Sequence, residues 1–333
     1  MTSEPDKPIR ILYNNVASDE IYDLMRAVCP SGMELVFLKH DDDSERKRKI
    51  KDCRGVVVAA TPLRPSVMEE ARTLEIVQHQ GVGYHDTVDI EVLRRRGIRL
   101  ALTPSDVASE AVAEHAVLLA LAVIRRLSEA GQALRSGNWY RNGVRARAQS
   151  LAGKTIGYMG MGRIGKAAAA RFAGFSTSGL YFDPHVRLSE NDERALNLER
   201  GSFTQVIKEA DVVTLHLPLT SATRKLLGRD QFRRMKKGAI VVNTARGGLL
   251  DEDALAEALA GGWLGGAGLD VFEIEPLSHE SSLRTLPNVV MTPHVSAATR
   301  DVFREKMQRA LQNVHNHFYG NALADEVRLD RSC

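Results

Sequence analysis

The chain has 333 residues, more than one hydrophobic core usually serves, and its 44% hydrophobic content supplies apolar material for two. Its 45 basic residues face 42 acidic ones for a net charge of +3, a balance that argues against nucleic acid or an anionic membrane as a partner. Cys29, Cys53 and Cys333 have neither metal-ligand spacing nor the density of a disulfide framework, and the polar N-terminus lacks a signal-peptide core. A reducing, cytoplasmic compartment is therefore expected. In chain order, apolar runs at 9–13, 34–38, 55–59, 76–78 and 99–101 predict strands, and amphipathic stretches at 18–28, 45–51, 65–71 and 89–96 predict helices. Such regular alternation points to a parallel α/β sheet. The mixed-sign charges of residues 39–51 read as a solvated helix face.

A turn at Thr103-Pro104-Ser105 breaks the pattern, and a long helix is predicted from 108 to about 137. Its first half is apolar nearly all round, so it should be buried on more than one side. Its apolar stretch 116–124 is too short to span a bilayer. Residues 136–149 carry Gly137, Trp139 and the arginines Arg141, Arg145 and Arg147, a composition that suits an arm or interface better than a core. A second α/β series follows, with strands expected at 155–158, 179–182, 212–216, 239–243, 266–269 and 289–292. A last amphipathic helix at about 299–319 is expected to end the ordered chain. The fold class is thus α/β with two doubly wound parallel-sheet domains.

The strongest local motif is Gly160-Met161-Gly162-Arg163-Ile164-Gly165, between the strand at 155–158 and a helix at 166–173. Glycines suit this position because the turn is tight and a β-carbon would hold a pyrophosphate away from the helix N-terminus. An acidic residue should end the next strand to accept hydrogen bonds from an adenosine ribose. Asp183 closes the run Leu180-Tyr181-Phe182. Its charge would repel a 2′-phosphate, so NAD is the expected cofactor, with Arg187 keeping NADP as the alternative.

Three later strands end in reactive residues. The strand at 239–243 runs into Thr244-Ala245-Arg246-Gly247-Gly248. That at 266–269 runs into Asp270-Val271-Phe272-Glu273-Ile274-Glu275-Pro276, and that at 289–292 into Pro293-His294. Ligands of open α/β sheets bind at the carboxyl ends of the strands, so these residues are expected to share a crevice. A histidine can move a hydroxyl proton near neutral pH. A carboxylate can orient its ring, and an arginine can grip a carboxylate and polarise a carbonyl. Singly, His294, Arg246 and Glu275 also fit a core-edge histidine, a surface ion pair and a loop acid. Their shared position past strand ends favours the chemical roles, in which a 2-hydroxy acid and its 2-oxo acid interconvert by hydride transfer.

With Val112-Ala113-Glu114-His115, Leu151-Ala152-Gly153-Lys154-Thr155 and His216-Leu217-Pro218-Leu219-Thr220 added, the chain resembles the D-isomer-specific 2-hydroxyacid dehydrogenases. This family includes D-3-phosphoglycerate dehydrogenase and glyoxylate or hydroxypyruvate reductases. The resemblance implies Arg246, Glu275 and His294 in the roles above. It also implies Asp270 on the nicotinamide carboxamide and Leu217 and Pro218 on the adenine side. Cofactor contacts are implied as well for Gly160, Gly162, Arg163, Ile164, Gly165, Thr223, Thr244, Ala245, His294 and Ala297. Val82 and Gly83, in the loop Gln80-Gly81-Val82-Gly83, would offer backbone amides to the substrate carboxylate, alongside Arg246 and His294.

The resemblance further implies a discontinuous, flavodoxin-like substrate domain, 1–101 plus 298–333, around an inserted Rossmann NAD-binding domain, 102–297. Hinges are expected near 102–104 and 294–298, with a homodimer formed through 108–127 and 139–147. Departures from the family pattern are Ser105, Ser296, the Tyr84-His85-Asp86 continuation, and Arg64, late in register for a phosphate ligand. The end of the chain at Cys333 suggests a short form acting on glyoxylate, hydroxypyruvate or another small 2-oxo acid, with 3-phosphoglycerate the rival. An NAD-sensing binding protein on the same scaffold is the alternative function. Glu275 argues against formate dehydrogenase, which resembles the family but carries glutamine there.

Overall fold

The computed structural model describes residues 7–85, 87–103 and 106–329. Asp86, Pro104, Ser105 and Cys333 lie outside the described residues. The chain divides into two compact units, Met1–Val107 with Arg300–Cys333, and Ala108–Thr299.

The first unit carries β1 (Ile9–Tyr13), β2 (Met33–Val36), β3 (Gly55–Val58), β4 (Ile76–His79) and β5 (Arg99–Leu102). The second carries β6 (Thr155–Met159), β7 (Ser178–Phe182), β8 (Leu198–Arg200), β9 (Val212–Leu215), β10 (Ile240–Asn243), β11 (Gly266–Leu269) and β12 (Val289–Met291). The chain then returns to the first unit with the helix Arg300–Phe318 and β13 (Glu326–Val327).

The first sheet runs β13-β5-β4-β3-β1-β2 and is parallel except for β13. Its five parallel strands have the flavodoxin-like order, with the reversal between β1 and β3. Every residue of β3 and β4 is buried, because helices cover both faces of a parallel sheet. Leu12, Val56, Val58, Val77 and Leu100 pack one face, while Ile11, Val57 and Ile76 meet Met307, Leu311 and Val314 of the last helix on the other. Aspartates start two of the covering helices: Asp42 accepts from the Glu45 amide and Asp89 from the Val92 amide.

The second sheet runs β12-β11-β10-β9-β6-β7-β8, parallel throughout, with its reversal between β6 and β9. This is the doubly wound dinucleotide-binding order with one further strand. The helix Asp106–Ile124 buries Ala113, Ala116, Leu119, Ala120 and Val123. It lies so close to β11 that a β-carbon on Gly268 would stand 2.8 Å from Leu119 Cβ, and one on Gly266 2.5 Å from Val123 Cγ1.

The charged helix Asp43–Ile50 is not solvated all along, since Glu45 and Arg46 are buried, and three expectations of secondary structure need correction. The long helix is two, Asp106–Ile124 and Leu127–Arg135, because Arg126 adopts a left-handed backbone (φ 54°) and its guanidinium reaches the Gly265 carbonyl. The last helix does not end the order, since β13 pairs antiparallel to β5 through Glu326–Ala101 and Val327–Leu100. The three-residue edge strand β8 is additional, too short to show a period. No helix among the described residues is long and apolar enough to cross a membrane.

Candidate active site

The carboxyl ends of the second sheet collect the residues singled out above. After β6, Gly160 has φ 97°, and a β-carbon on it would stand 2.7 Å from the His216 carbonyl oxygen. A β-carbon on Gly165 would stand 2.3 Å from the Gly160 carbonyl oxygen. These two glycines are therefore required by the protein itself. Gly162 differs: a β-carbon there would meet nothing within 4 Å. It is the uncapped N-cap of the helix Arg163–Ala173, so the first amides of that helix, including Arg163 and Ile164, face open space. That arrangement fits a pyrophosphate.

Asp183, at the end of β7, is buried. Its Oδ2 accepts the Met161 amide at 2.8 Å, and its Oδ1 accepts the amides of His185 and Val186 at 2.8 and 2.9 Å. Burial pushes this carboxyl up, but the three amides outweigh it and hold it below the usual carboxylate range. The carboxylate shapes the glycine loop and keeps acceptor capacity on Oδ2 for a ribose hydroxyl.

After β9, burial pushes His216 down to about 4, so it is neutral near pH 7. Its Nε2 meets Thr214 Oγ1 at 3.1 Å. The following loop is braced by Thr223, whose hydroxyl donates to the Pro218 carbonyl at 2.7 Å and accepts the Thr220 amide.

The turn after β10 is tied by Asn243, which donates to the Arg246 carbonyl at 2.9 Å and accepts the Ala245 amide at 3.0 Å. Thr244 Oγ1 is buried with no partner in the protein, and a buried unpaired hydroxyl is costly unless a ligand or water meets it. Arg246 donates to the Ala245 carbonyl at 2.8 Å. A β-carbon on Gly247 would stand 1.8 Å from the Phe272 carbonyl carbon, so this turn is pressed against the turn after β11. Glu252 accepts the Glu273 amide at 2.6 Å from the other side.

Glu275 and His294 meet directly, Nδ1 to Oε2 at 2.8 Å, while Glu275 Oε1 accepts the Phe272 amide at 3.0 Å. Burial pushes the Glu275 carboxyl up, yet His294, the Phe272 amide and the charge of Arg246 together hold it below its ordinary value. A carboxylate at Glu275 requires the proton on Nδ1, which leaves His294 Nε2 free for chemistry. His294 has φ 54°, a conformation uncommon for a residue with a side chain. Asp270, wholly buried, accepts the amides of Val295 and Ser296 at 2.8 and 2.9 Å and the Thr292 hydroxyl at 2.6 Å. Ala297 follows in the same loop, partly buried.

Arg246, Glu275 and His294 therefore share one locality, with Thr244, Ala245 and Asp270 beside them. Val82 and Gly83 belong to the first unit. There His79, buried at the end of β4, braces their loop: its Nδ1 lies 3.0 Å from the Gly81 amide and its Nε2 3.0 Å from Thr87 Oγ1. Arg64 of that unit pairs with Asp43 at 2.9 Å. His79, Asn243, Glu252 and Thr292 were not assigned from sequence. His115 stood in a matched motif without a role, and here it lies 2.9 Å from Thr292 Oγ1.

A family model described as the D-isomer specific 2-hydroxyacid dehydrogenase NAD-binding domain matches residues 117–296. The chain is 39% identical over 269 residues to a glyoxylate reductase of Korarchaeum cryptofilum, covering 80% of each chain. It is 35% identical to a D-3-phosphoglycerate dehydrogenase of Archaeoglobus fulgidus over 88% of this chain and 54% of that one. The apo-structure of D-lactate dehydrogenase from Escherichia coli superposes with a TM-score of 0.84 at 30% identity, covering 96% and 99% of the two chains.

Proposed function

The chain belongs to the D-isomer-specific 2-hydroxyacid dehydrogenases, nicotinamide-dependent oxidoreductases of small 2-hydroxy and 2-oxo acids, and we propose that it uses NAD(H) and reduces a 2-oxo acid with an unphosphorylated tail, of the glyoxylate or hydroxypyruvate type. The 2.8 Å contact of His294 Nδ1 with Glu275 Oε2, under the charge of Arg246, carries the assignment of 2-oxo acid reduction. When bound, the nicotinamide supplies or accepts the hydride. In the reductive direction His294 Nε2 gives a proton to the carbonyl oxygen of the substrate, and Glu275 stabilises the imidazolium before and orients the ring throughout. Arg246 holds the substrate carboxylate and polarises the carbonyl. In the first unit, the amides of Val82 and Gly83 are the groups proposed to contact substrate.

The cofactor preference rests on Asp183, whose carboxylate is ionised at neutral pH and opposes a 2′-phosphate. Gly160, Gly162, Arg163, Ile164 and Gly165 hold the pyrophosphate, and Leu217, Pro218 and Thr223 the adenine side. Thr244, Ala245, Asp270, His294 and Ala297 surround the nicotinamide. The unphosphorylated tail is favoured because the Arg64 guanidinium is already matched by Asp43. The name of the Korarchaeum relative agrees with that choice. A homodimer through the second unit and a cytoplasmic location complete the proposal.

The test is an NADH-oxidation panel over glyoxylate, hydroxypyruvate, pyruvate and phosphohydroxypyruvate, repeated with NADPH and with His294→Ala. Turnover of an unphosphorylated acid with NADH, lost in the variant, is expected. Bound NADH with no turnover of any acid would remove the enzymatic assignment, and a phosphohydroxypyruvate preference would remove the proposed tail.

A further inference from the structure

One hydrogen-bond chain, of which the proposed chemistry uses only Asp270, runs from the helix Asp106–Ile124 to the loop bearing His294. Asp270 has no exposed surface, and although burial pushes its carboxyl up, the donors around it hold it below the usual range. As a carboxylate it has no proton to give, so the 2.6 Å contact with Thr292 is donated by the hydroxyl. The Thr292 oxygen is then left to accept, which requires the proton on His115 Nε2, 2.9 Å away. The direction of the chain is fixed: His115 to Thr292 to Asp270.

Asp270 in turn gathers the loop. Its main-chain oxygen accepts the His294 amide at 2.7 Å, its Oδ1 accepts the Val295 amide, and its Oδ2 accepts the Ser296 amide. The Ser296 hydroxyl also helps to hold the Asp270 carboxyl below its ordinary value, giving a function to the serine that departs from the family pattern. Three hydrogen-bond donors, the Thr292 hydroxyl and the amides of Val295 and Ser296, thus converge on one carboxylate. They converge where His294 holds its left-handed backbone (φ 54°), a conformation that persists only when its surroundings over-determine it.

We infer that His115, Thr292 and Asp270 are positioning residues for His294: the chain fixes the carboxylate that clamps the 294–296 backbone and so aims the imidazole at Glu275. This deepens the proposed function and rests on His294 being its acid/base. The resemblance also assigns Asp270 to the nicotinamide carboxamide, a role that would show in NADH affinity rather than in the placement of His294.

The two roles separate in measurement. Thr292→Val, Thr292→Ser, His115→Ala and His115→Gln are compared with wild type in the full chain for kcat, for KM, and for NADH Kd by fluorescence. A fourth readout is the low-field Nδ1 proton of His294 in spectra of 15N-histidine protein, identified by its loss in Glu275→Gln. Misplacing a catalytic group by about 1 Å costs up to roughly a hundredfold, so Thr292→Val is expected to lower kcat at least ~10-fold while Kd stays within ~3-fold. The Nδ1 resonance is expected to broaden or vanish. Thr292→Ser and His115→Gln, which keep a hydroxyl and a donor, are expected to recover most of both signals, whereas His115→Ala is not.

Wild-type kcat and an intact resonance in Thr292→Val would overturn the inference, as would an NADH Kd that rises as far as kcat falls. If Thr292→Val does not fold, the same criteria apply to the His115 pair. If wild type turns over no 2-oxo acid, the proposed function fails, and the resonance alone still decides whether the chain positions His294.

Discussion

Glu275 illustrates how one side chain answers to several neighbours. Burial works against its charge, and the bonds from His294 and the Phe272 amide, with Arg246 nearby, more than reverse that effect. Its folded-state value lies below its ordinary value of 4.5, so its contribution to stability is fully present above that value and is lost as pH falls through the folded one. Replacing Glu275 by Gln is therefore expected to lower kcat by roughly 10²-fold, through loss of ring orientation and of imidazolium stabilisation. Steady-state kinetics at neutral pH checks this, and an unchanged kcat would remove Glu275 from the mechanism. Glu45 gives a second, purely structural case. It is buried, and its carboxylate takes the amides of Lys39 and His40 and the ammonium of Lys49. Burial raises its pKa, but these partners win and set it at about 2. Its stabilisation is present above pH 4.5 and fades towards pH 2. Glu45→Gln is thus expected to cost on the order of 2 kcal/mol at pH 7. Denaturant melts should show the gap to wild type closing as pH falls, and a pH-independent gap would contradict the assignment.

At the scale of elements, the site is built by turns pressed together rather than by long-range charge. Gly247 follows Arg246, and a β-carbon on it would overlap the main chain between Phe272 and Glu273. Gly247→Ala must therefore move the Arg246 turn relative to the turn bearing Glu275, and a shift of about 1 Å is expected to cost up to 10²-fold in kcat/KM. Gly268→Ala strains another contact, the helix Asp106–Ile124 against β11, and is expected to cost about 1–3 kcal/mol, as overpacking typically does. A near-wild-type Tm for Gly268→Ala, or unimpaired kcat/KM for Gly247→Ala, would contradict this account. The same elements show what the sequence exposed. Strands β10, β11 and β12 are short apolar runs that lead into polar residues, so their carboxyl ends, and with them Arg246, Glu275 and His294, were legible one strand at a time. The break at Arg126 was not, because it depends on a carbonyl 139 residues away. Likewise His115 and Thr292 are 177 residues apart, and no local pattern records their bond. Gly247 was legible as part of a motif, but its reason, the Phe272 peptide against it, appears only in three dimensions.

For the whole molecule, the apolar surface of the second unit bears on the proposed dimer. The helix Leu127–Arg135 buries none of its residues, although its sequence is amphipathic. Leu127 and Leu134 are each 59% exposed, and Trp139, just beyond the helix, is 79% exposed. Leu118, on the preceding helix, adds a further large apolar side chain at the surface. Isolated exposed leucines need no explanation, but several with a tryptophan in one stretch of chain mark an interaction surface. The arginines Arg141 and Arg145 follow directly, and aromatic residues with arginine are the composition enriched at interfaces. A self-association surface must bury on the order of 1,000 Å² in total to be stable, with a few large side chains contributing most of the energy. If the proposed dimer forms through this surface, Trp139→Glu combined with Leu134→Glu is expected to convert it to a monomer in light scattering at micromolar concentration, while far-UV circular dichroism stays unchanged. A wild-type protein that elutes as a monomer, or a double variant that remains a dimer, would place the interface elsewhere. The outcome also bears on catalysis, since neither substituted residue belongs to the Arg246–Glu275–His294 group. A monomer that keeps its turnover would show the second unit's site to be complete without a partner.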